Sequence, residues 1–161
     1  MQDAKSLPLD SSVLHLLHRA GQVADDLFAK EMSKSALTPR QFAVLSVLHH
    51  KQTASQTDIV QATGIDRSTL ADIVRRLVER GLLGRKRSRL DARAYDVRLT
   101  AAGQAALRAA QPAVTRVEDR MLKLLPAAKR GEFIDALDQI VQVLTGREDE
   151  AAASTSRNRS K

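Results

Sequence analysis

Residues 55–103 read SQTDIVQATGIDRSTLADIVRRLVERGLLGRKRSRLDARAYDVRLTAAG, and the punctuation of this stretch decides the fold. Ser55 with Asp58 three residues on is a helix-start signature. The hydroxyl can take a free N–H of the first turn while the carboxylate answers the N–H of the cap itself. Ile59, Val60 and Ala62 follow at helical spacing, and Gly64 supplies the stop. Asp66 then caps a second helix whose apolar face is Leu70, Ile73, Val74 and Leu77, with Gly81 at its end. The intervening turn, Thr63 to Ile65, is short and contains glycine, so the first helix braces the second at a steep angle. After Gly81 the period changes from helical to two. Leu82 and Leu83 lead into Arg85, Lys86, Arg87 and Arg89, and Tyr95, Val97 and Leu99 alternate with Asp96 and Arg98. Two strands therefore bracket a charged loop from Ser88 to Ala94.

Helix, turn, helix and hairpin in this order form a winged helix-turn-helix, whose second helix enters a DNA major groove by its N-terminal part. Off the apolar stripe of that helix lie Arg67, Ser68, Thr69, Asp72, Arg75 and Arg76, the side chains expected to face DNA. Ser55 and Gln56 at the start of the bracing helix join them, as do Arg87, Arg89, Asp91 and Arg93 around the loop. Arg93 suits a minor groove, where negative potential concentrates, with Asp91 able to orient it. Charge agrees: the 161-residue chain carries a net +7, and residues 66–100 hold ten Arg/Lys against five Asp/Glu. Such a basic segment is the footprint of a phosphate-backbone partner, the plainer alternative being a solvated charged face.

The segment DRSTLADIVRRLVERGLLGRKRSRLDARAYDVRLTAAG, residues 66–103, resembles the DNA-binding core of the MarR family of bacterial transcription regulators. That family runs a reader helix into "L-V-x-R-G-L-(L/I)-x-R" and closes a "D-x-R" wing with "V-x-L-T-x-x-G". Asp91, Arg93, Val97, Leu99, Thr100 and Gly103 match, and LTPRQFAVL at residues 37–45 resembles the family's second helix. Ala92, Tyr95 and Asp96 depart from the commoner pattern. The resemblance spans roughly Leu9 to Leu144.

Outside this core, helical spacing marks a first helix from about Asp10 to Met32, carrying Val13, Leu16, Leu17, Ala20, Ala24, Leu27 and Phe28. Leu107, Ala110, Val114, Val117, Met121 and Leu124 recur in steps of three and four, a seam that asks for a partner helix. Pro112 interrupts it and predicts a kink near 109–111. Pro126 opens a last helix with Phe133, Leu137, Ile140 and Leu144 on one face, widened by Ile134 and Val141. Three amphipathic helices exceed what the winged core can cover. The resemblance implies a homodimer with interdigitating terminal helices; closure of all three on their own chain is the alternative.

The expected fold is thus mainly α with a small β-hairpin wing. Residues 1–36 form an N-terminal dimerisation helix, 37–103 the winged helix-turn-helix, 104–145 C-terminal dimerisation helices, and 146–161 a disordered tail. The tail combines a short acidic patch, alanines and Ser/Thr/Arg/Asn residues with nothing to pack. Thr38, Pro39 and Gln41 read as a capping box with a first-turn proline.

The resemblance further implies a pocket for small aromatic acids, phenols or aryl-coenzyme A thioesters at the junction of the dimer and DNA-binding parts. Arg19 and Arg40 are the cations expected near it, with His15 and His49 as further candidates. The implied function is a repressor that occupies a pseudo-palindromic operator and is released by an anionic aromatic inducer. A winged-helix module that binds protein instead of DNA is the second reading, and it predicts fewer arginines around the wing than stand here.

An enzyme is not expected: no nucleophile–base pair, phosphate-cradling glycine loop or metal set is visible, and no cofactor is implied. The histidine pairs His15/His18 and His49/His50 lack a completing cysteine or carboxylate, so no metal site is expected. Absence of cysteine excludes disulfides and thiolate chemistry. With neither a membrane-length apolar run nor a signal peptide's basic-then-apolar order, a cytoplasmic location is expected.

Overall fold

The structure, a computed structural model, describes residues 9–32, 37–87 and 95–158. A 3-10 turn at Leu9–Ser11 precedes α1 (Val13–Glu31). The start differs from the expected Asp10 because Ser12 is the cap, its hydroxyl accepting the His15 N–H at 3.3 Å. α2 (Pro39–Lys51) begins on the capping box read from the sequence. Thr38 Oγ1 accepts from the Gln41 N–H at 3.3 Å, and Gln41 Oε1 accepts from the Thr38 N–H at 3.2 Å.

Then come β1 (Thr53–Ala54), α3 (Gln56–Thr63), α4 (Arg67–Glu79), β2 (Leu83–Arg87), β3 (Tyr95–Leu99), α5 (Ala101–Leu122) and α6 (Ala127–Asn158). The strands form one antiparallel sheet in the order β1-β3-β2. β2 and β3 end at the residues expected to bracket the loop, Arg87 and Tyr95. β1 is an addition: Thr53 and Ala54 pair with Arg98 and Val97 and tie the end of α2 to the hairpin.

The core sits where α2, α3, α4, the sheet and the first half of α5 meet. Val44, Leu45 and Leu48 of α2, Ile59 of α3, and Leu70, Val74 and Leu77 of α4 are buried, with Val97 from the sheet and Leu107 and Ala110 from α5. Phe28 and Met32, at the end of α1, join this core, and Phe28 packs edge-on against Phe42 at 6.3 Å. An ion pair from Arg116 Nε to Glu31 Oε2, at 2.8 Å, also links α1 and α5.

Burial on α5 corrects the seam reading. Leu107, Ala110, Ala113 and Val117 are buried within this chain, because the α5 face that begins at Gly103 lies on the winged core. Leu124, the last residue of the expected seam, lies beyond α5 and is 84% exposed. α5 continues through Pro112, whose missing N–H and ring do not end it.

Two compact units divide the chain, Met1–Glu118 and Asp119–Lys161. In the second, Pro126 stands directly before α6 and its carbonyl accepts the Lys129 N–H at 2.9 Å. α6 does not stop at Gly146: it runs on to Asn158, through the stretch expected to be disordered. That stretch has no proline, and Glu148, Glu150 and Ala151 to Ala153 are good helix formers, so backbone propensity carries a segment with little to bury. Among the described residues no helix is long and apolar enough to cross a membrane.

Candidate nucleic-acid interface

The α3–α4 pair is set by its caps. Ser55 Oγ accepts the Asp58 N–H at 3.1 Å and donates to Asp58 Oδ2 at 2.7 Å, while the Ser55 N–H reaches the same carboxylate oxygen at 2.9 Å. These hydrogen bonds from Ser55 hold the Asp58 carboxyl below its ordinary pKa. α3 ends at Gly64, whose φ of 67° is the left-handed conformation glycine adopts without steric cost. Thr63 Oγ1 donates back to the Ile59 carbonyl at 2.7 Å, and Ile65 tucks into the core, fixing the exit of the turn. Asp66 opens α4: its Oδ1 accepts from the Ser68 hydroxyl at 2.6 Å and from the Thr69 N–H at 2.9 Å. Those contacts, Ser68 foremost, hold the Asp66 carboxyl far below the usual carboxylate range.

With Leu70, Ile73, Val74 and Leu77 buried, α4 turns Arg67, Ser68, Ala71, Arg75 and Arg76 outward. Of the expected side chains on α4, Arg67, Ser68, Arg75 and Arg76 are exposed and Thr69 and Asp72 are partly covered, and they do not stand alike. Ser55 is committed to its cap, so its hydroxyl is held by Asp58, and Gln56 is the exposed residue at that end. Arg75 pairs with Asp72 and, at 2.9 Å, with Glu79; Arg76 Nε meets Asp72 Oδ2 at 2.7 Å. Arg75 accordingly holds its proton more tightly than usual, and the Asp72 carboxyl lies below its ordinary pKa through the Arg75 hydrogen bond. Arg67, at the first turn of α4, has no carboxylate partner among the described residues.

Sequence reasoning passed over part of the basic surface. Arg85 and Lys86 on β2 and Arg98 on β3 are exposed alongside Arg87, and they too lack carboxylate partners among the described residues. Alternation along β3 is the signal that could have found Arg98, which flanks the buried Val97; β2 does not alternate past Leu83, where Arg85, Lys86 and Arg87 are all exposed, so no period-two pattern marks them. Arg89, Asp91 and Arg93 lie outside the described residues.

Beside α4 is a cleft of about 370 Å³, lined by Asp25 of α1, Thr38, Pro39, Arg40 and Gln41 at the start of α2, and Thr69, Asp72, Ile73 and Arg76 of α4 itself. Arg40 also borders a neighbouring hollow formed with Gly64, Ile65 and Asp66 of the turn. Its expected companions are elsewhere. His49, at the far end of α2, lines a separate cleft of about 270 Å³ with Arg98 and Gln104. His15 and Arg19 on α1 line neither of these clefts. The four candidate ligand residues thus do not converge. Arg40 is brought together instead with Arg76 and Asp72, a grouping of α1, α2 and α4 that no local pattern encodes.

A basic, capped helix projecting from a braced pair, with a basic hairpin beside it, defines a winged-helix DNA-binding protein. The sequence model of the MarR family matches residues 37–94. Over 143 residues the chain is 30% identical to the HTH-type transcriptional repressor NicR of Pseudomonas putida, covering 84% of this chain and 90% of NicR. Among solved structures it resembles BpsR of Bordetella bronchiseptica, whose DNA binding is regulated by 6-hydroxynicotinic acid. The TM-score is 0.80 at 30% identity, over 84% of this chain and 96% of BpsR. It also resembles the transcriptional repressor CouR of Rhodococcus jostii bound to a 23-mer DNA duplex, with a TM-score of 0.77 at 33% identity over 87% and 99% of the two chains. The chain belongs to the MarR family and is a winged-helix transcription regulator of that type.

Proposed function

We propose that this regulator is a homodimeric repressor that binds a pseudo-palindromic operator through α4 and is released by a small anionic aromatic ligand. The observation that carries the reading is the exposed polar face of α4, opened by a capped N-terminus and flanked by exposed cations on β2 and β3 that have no carboxylate partner among the described residues. In this reading Arg67, Ser68 and Thr69 approach base edges, while Arg85, Lys86, Arg87 and Arg98 supply phosphate contacts, which position the protein without reading sequence. Selection from a random duplex library tests it. The winning sites should be inverted repeats with half-sites about 10 base pairs apart, or a multiple of that spacing, as a two-fold dimer requires. Recovery of no common sequence would remove the reading.

Exposed apolar side chains support the dimer. On α1, Leu14 is 68% and Leu17 43% exposed; on α6, Phe133, Ile134, Ile140 and Val141 are all exposed. Exposed apolar helix faces mark interaction surfaces, and in this reading the partner of each is a second copy of the chain.

The ligand reading rests on the cleft between α1, α2 and α4, whose lining includes the cations Arg40 and Arg76 together with Asp25 and Asp72. A carboxylate bound there places negative charge next to α4 and competes with DNA phosphates. BpsR, regulated by 6-hydroxynicotinic acid, supports an aromatic acid as the ligand class. A thermal-shift screen of aromatic carboxylates, phenols and aryl-coenzyme A thioesters tests this, because a ligand that binds only the folded state raises the melting temperature. A regulator acting this way needs no catalytic group and works in the compartment that holds the operator, the bacterial cytoplasm.

A further inference from the structure

On α4 two of the three charge pairs share one acceptor. Asp72 receives Arg75 on one oxygen and Arg76 Nε, at 2.7 Å, on the other, and Arg75 Nη1 continues to Glu79 Oε1 at 2.9 Å. The side chains are 43–62% exposed, so solvent screens each pair and none is demanded by burial. What the arrangement changes is the charge that α4 offers to a ligand. Two cations and two anions cancel, and both guanidinium planes are held along the helix instead of reaching outward. An unrestrained arginine on this face would bind any phosphate, since releasing condensed counterions favours association whatever the base sequence.

We infer that Asp72 is a specificity-determining positioning residue. It keeps Arg75 and Arg76 occupied against non-specific DNA and yields them only where the base contacts of α4 offset the broken pairs. This rests on the reading of α4 as the DNA reader. Asp72 need not touch DNA to act. It sets how many cations are available before sequence is read, and so sets the ratio of operator to non-specific affinity.

The test is fluorescence anisotropy of full-length wild type, D72N, D72E, E79Q and R67A on the selected operator and on a scrambled duplex, from 50 to 200 mM salt. D72N removes the shared anion, so its binding to scrambled duplex should strengthen at low salt. Its log–log salt slope should steepen by about 0.9 per cation freed, an extra loss of about tenfold across that range for two arginines. The operator-to-scrambled ratio should fall. D72E, whose carboxylate can still reach Arg76 one turn on, should restore most of the wild-type slope, and E79Q should change it by less than D72N. Melting temperatures should stay near wild type throughout, which separates the effect from misfolding.

A D72N slope and ratio equal to wild type, with R67A weakened on the operator, would overturn the restraint while leaving the reader helix in place. D72N losing operator affinity with an unchanged slope would make Asp72 a direct base contact and equally overturn it. No effect from either D72N or R67A would remove α4 from the DNA altogether.

Discussion

Gly103→Ala probes the joint between the hairpin and α5 most severely. A Cβ built at Gly103 would lie 2.1 Å from the Leu82 carbonyl oxygen, 3.0 Å from its carbon and 3.2 Å from Leu99 Cδ2. Ordinary carbon–oxygen contacts begin at about 3.3 Å, so α5 must retreat by more than ~1 Å. The retreat strains the hydrogen bonds that dock it: Thr100 N–H to the Leu82 carbonyl at 3.1 Å, Thr100 Oγ1 to the Gly81 carbonyl at 2.6 Å, and Gly103 N–H to Thr100 Oγ1 at 3.0 Å.

Overpacking costs about 1–3 kcal/mol, and strain spread over these bonds that amounts to the loss of one adds about 0.5–1.5 kcal/mol, giving roughly 2–4 kcal/mol in all. For a chain of this size that is a fall in Tm of roughly 5–15 °C. Gly64→Ala is the comparison, since its Cβ would meet nothing within 4 Å and only the φ of 67° is strained. Its cost should be about 1–2 kcal/mol. Gly84→Ala, whose nearest neighbour lies at an ordinary 3.9 Å, should be near neutral. Differential scanning calorimetry ranks the three. A Gly103→Ala Tm within ~2 °C of wild type, or a Gly64→Ala loss that exceeds it, would refute the steric argument.

Ser55→Ala removes the α3 cap and should cost about 1 kcal/mol by urea unfolding, an amount a surface serine would not show. Asp58 and Asp66 have folded pKa values depressed below the unfolded carboxyl value near 3.9. Their contribution is therefore present above about pH 4 and lost as pH falls through the folded values; a Tm-versus-pH scan should show it. Asp66→Asn keeps a capping oxygen and should flatten that acid limb, whereas an unchanged limb would assign it to other groups. Arg40→Ala should reduce the thermal shift given by an aromatic carboxylate by several-fold while leaving operator affinity in ligand-free buffer close to wild type, and His49→Ala should do neither.

What was legible in the sequence is what short-range chemistry fixes. The Ser55–Asp58 and Thr38–Gln41 boxes, the Asp66 cap and the glycine stops at Gly64 and Gly81 each act within three or four residues, and the structure has all of them. The hairpin ends were equally local, marked by the change from apolar alternation to charge. β1 escaped because two residues have no periodicity; Thr53 and Ala54 are a strand only through pairing with β3.

Faces were harder than elements. Helical spacing on α5 showed an apolar stripe but not its partner, and Leu107 to Val117 went to the chain's own core. The polar face of α4 was visible, yet the capture of Arg75 and Arg76 by Asp72 follows from rotamers, not spacing alone. The cleft at Arg40 was illegible because its walls come from helices up to about fifty residues apart in the chain.

The central claim is that α4 reads sequence in DNA, and the direct measurement is operator discrimination by Arg67→Ala and Thr69→Ala, with wild type alongside, at fixed salt. Affinities for the selected operator and for single-base variants across one half-site give the discrimination at each position. The account predicts that each substitution flattens preference at one or two neighbouring base pairs, at a cost on the order of 1–3 kcal/mol, and leaves scrambled-duplex binding nearly unchanged. Wild-type discrimination at every position in both variants would contradict it.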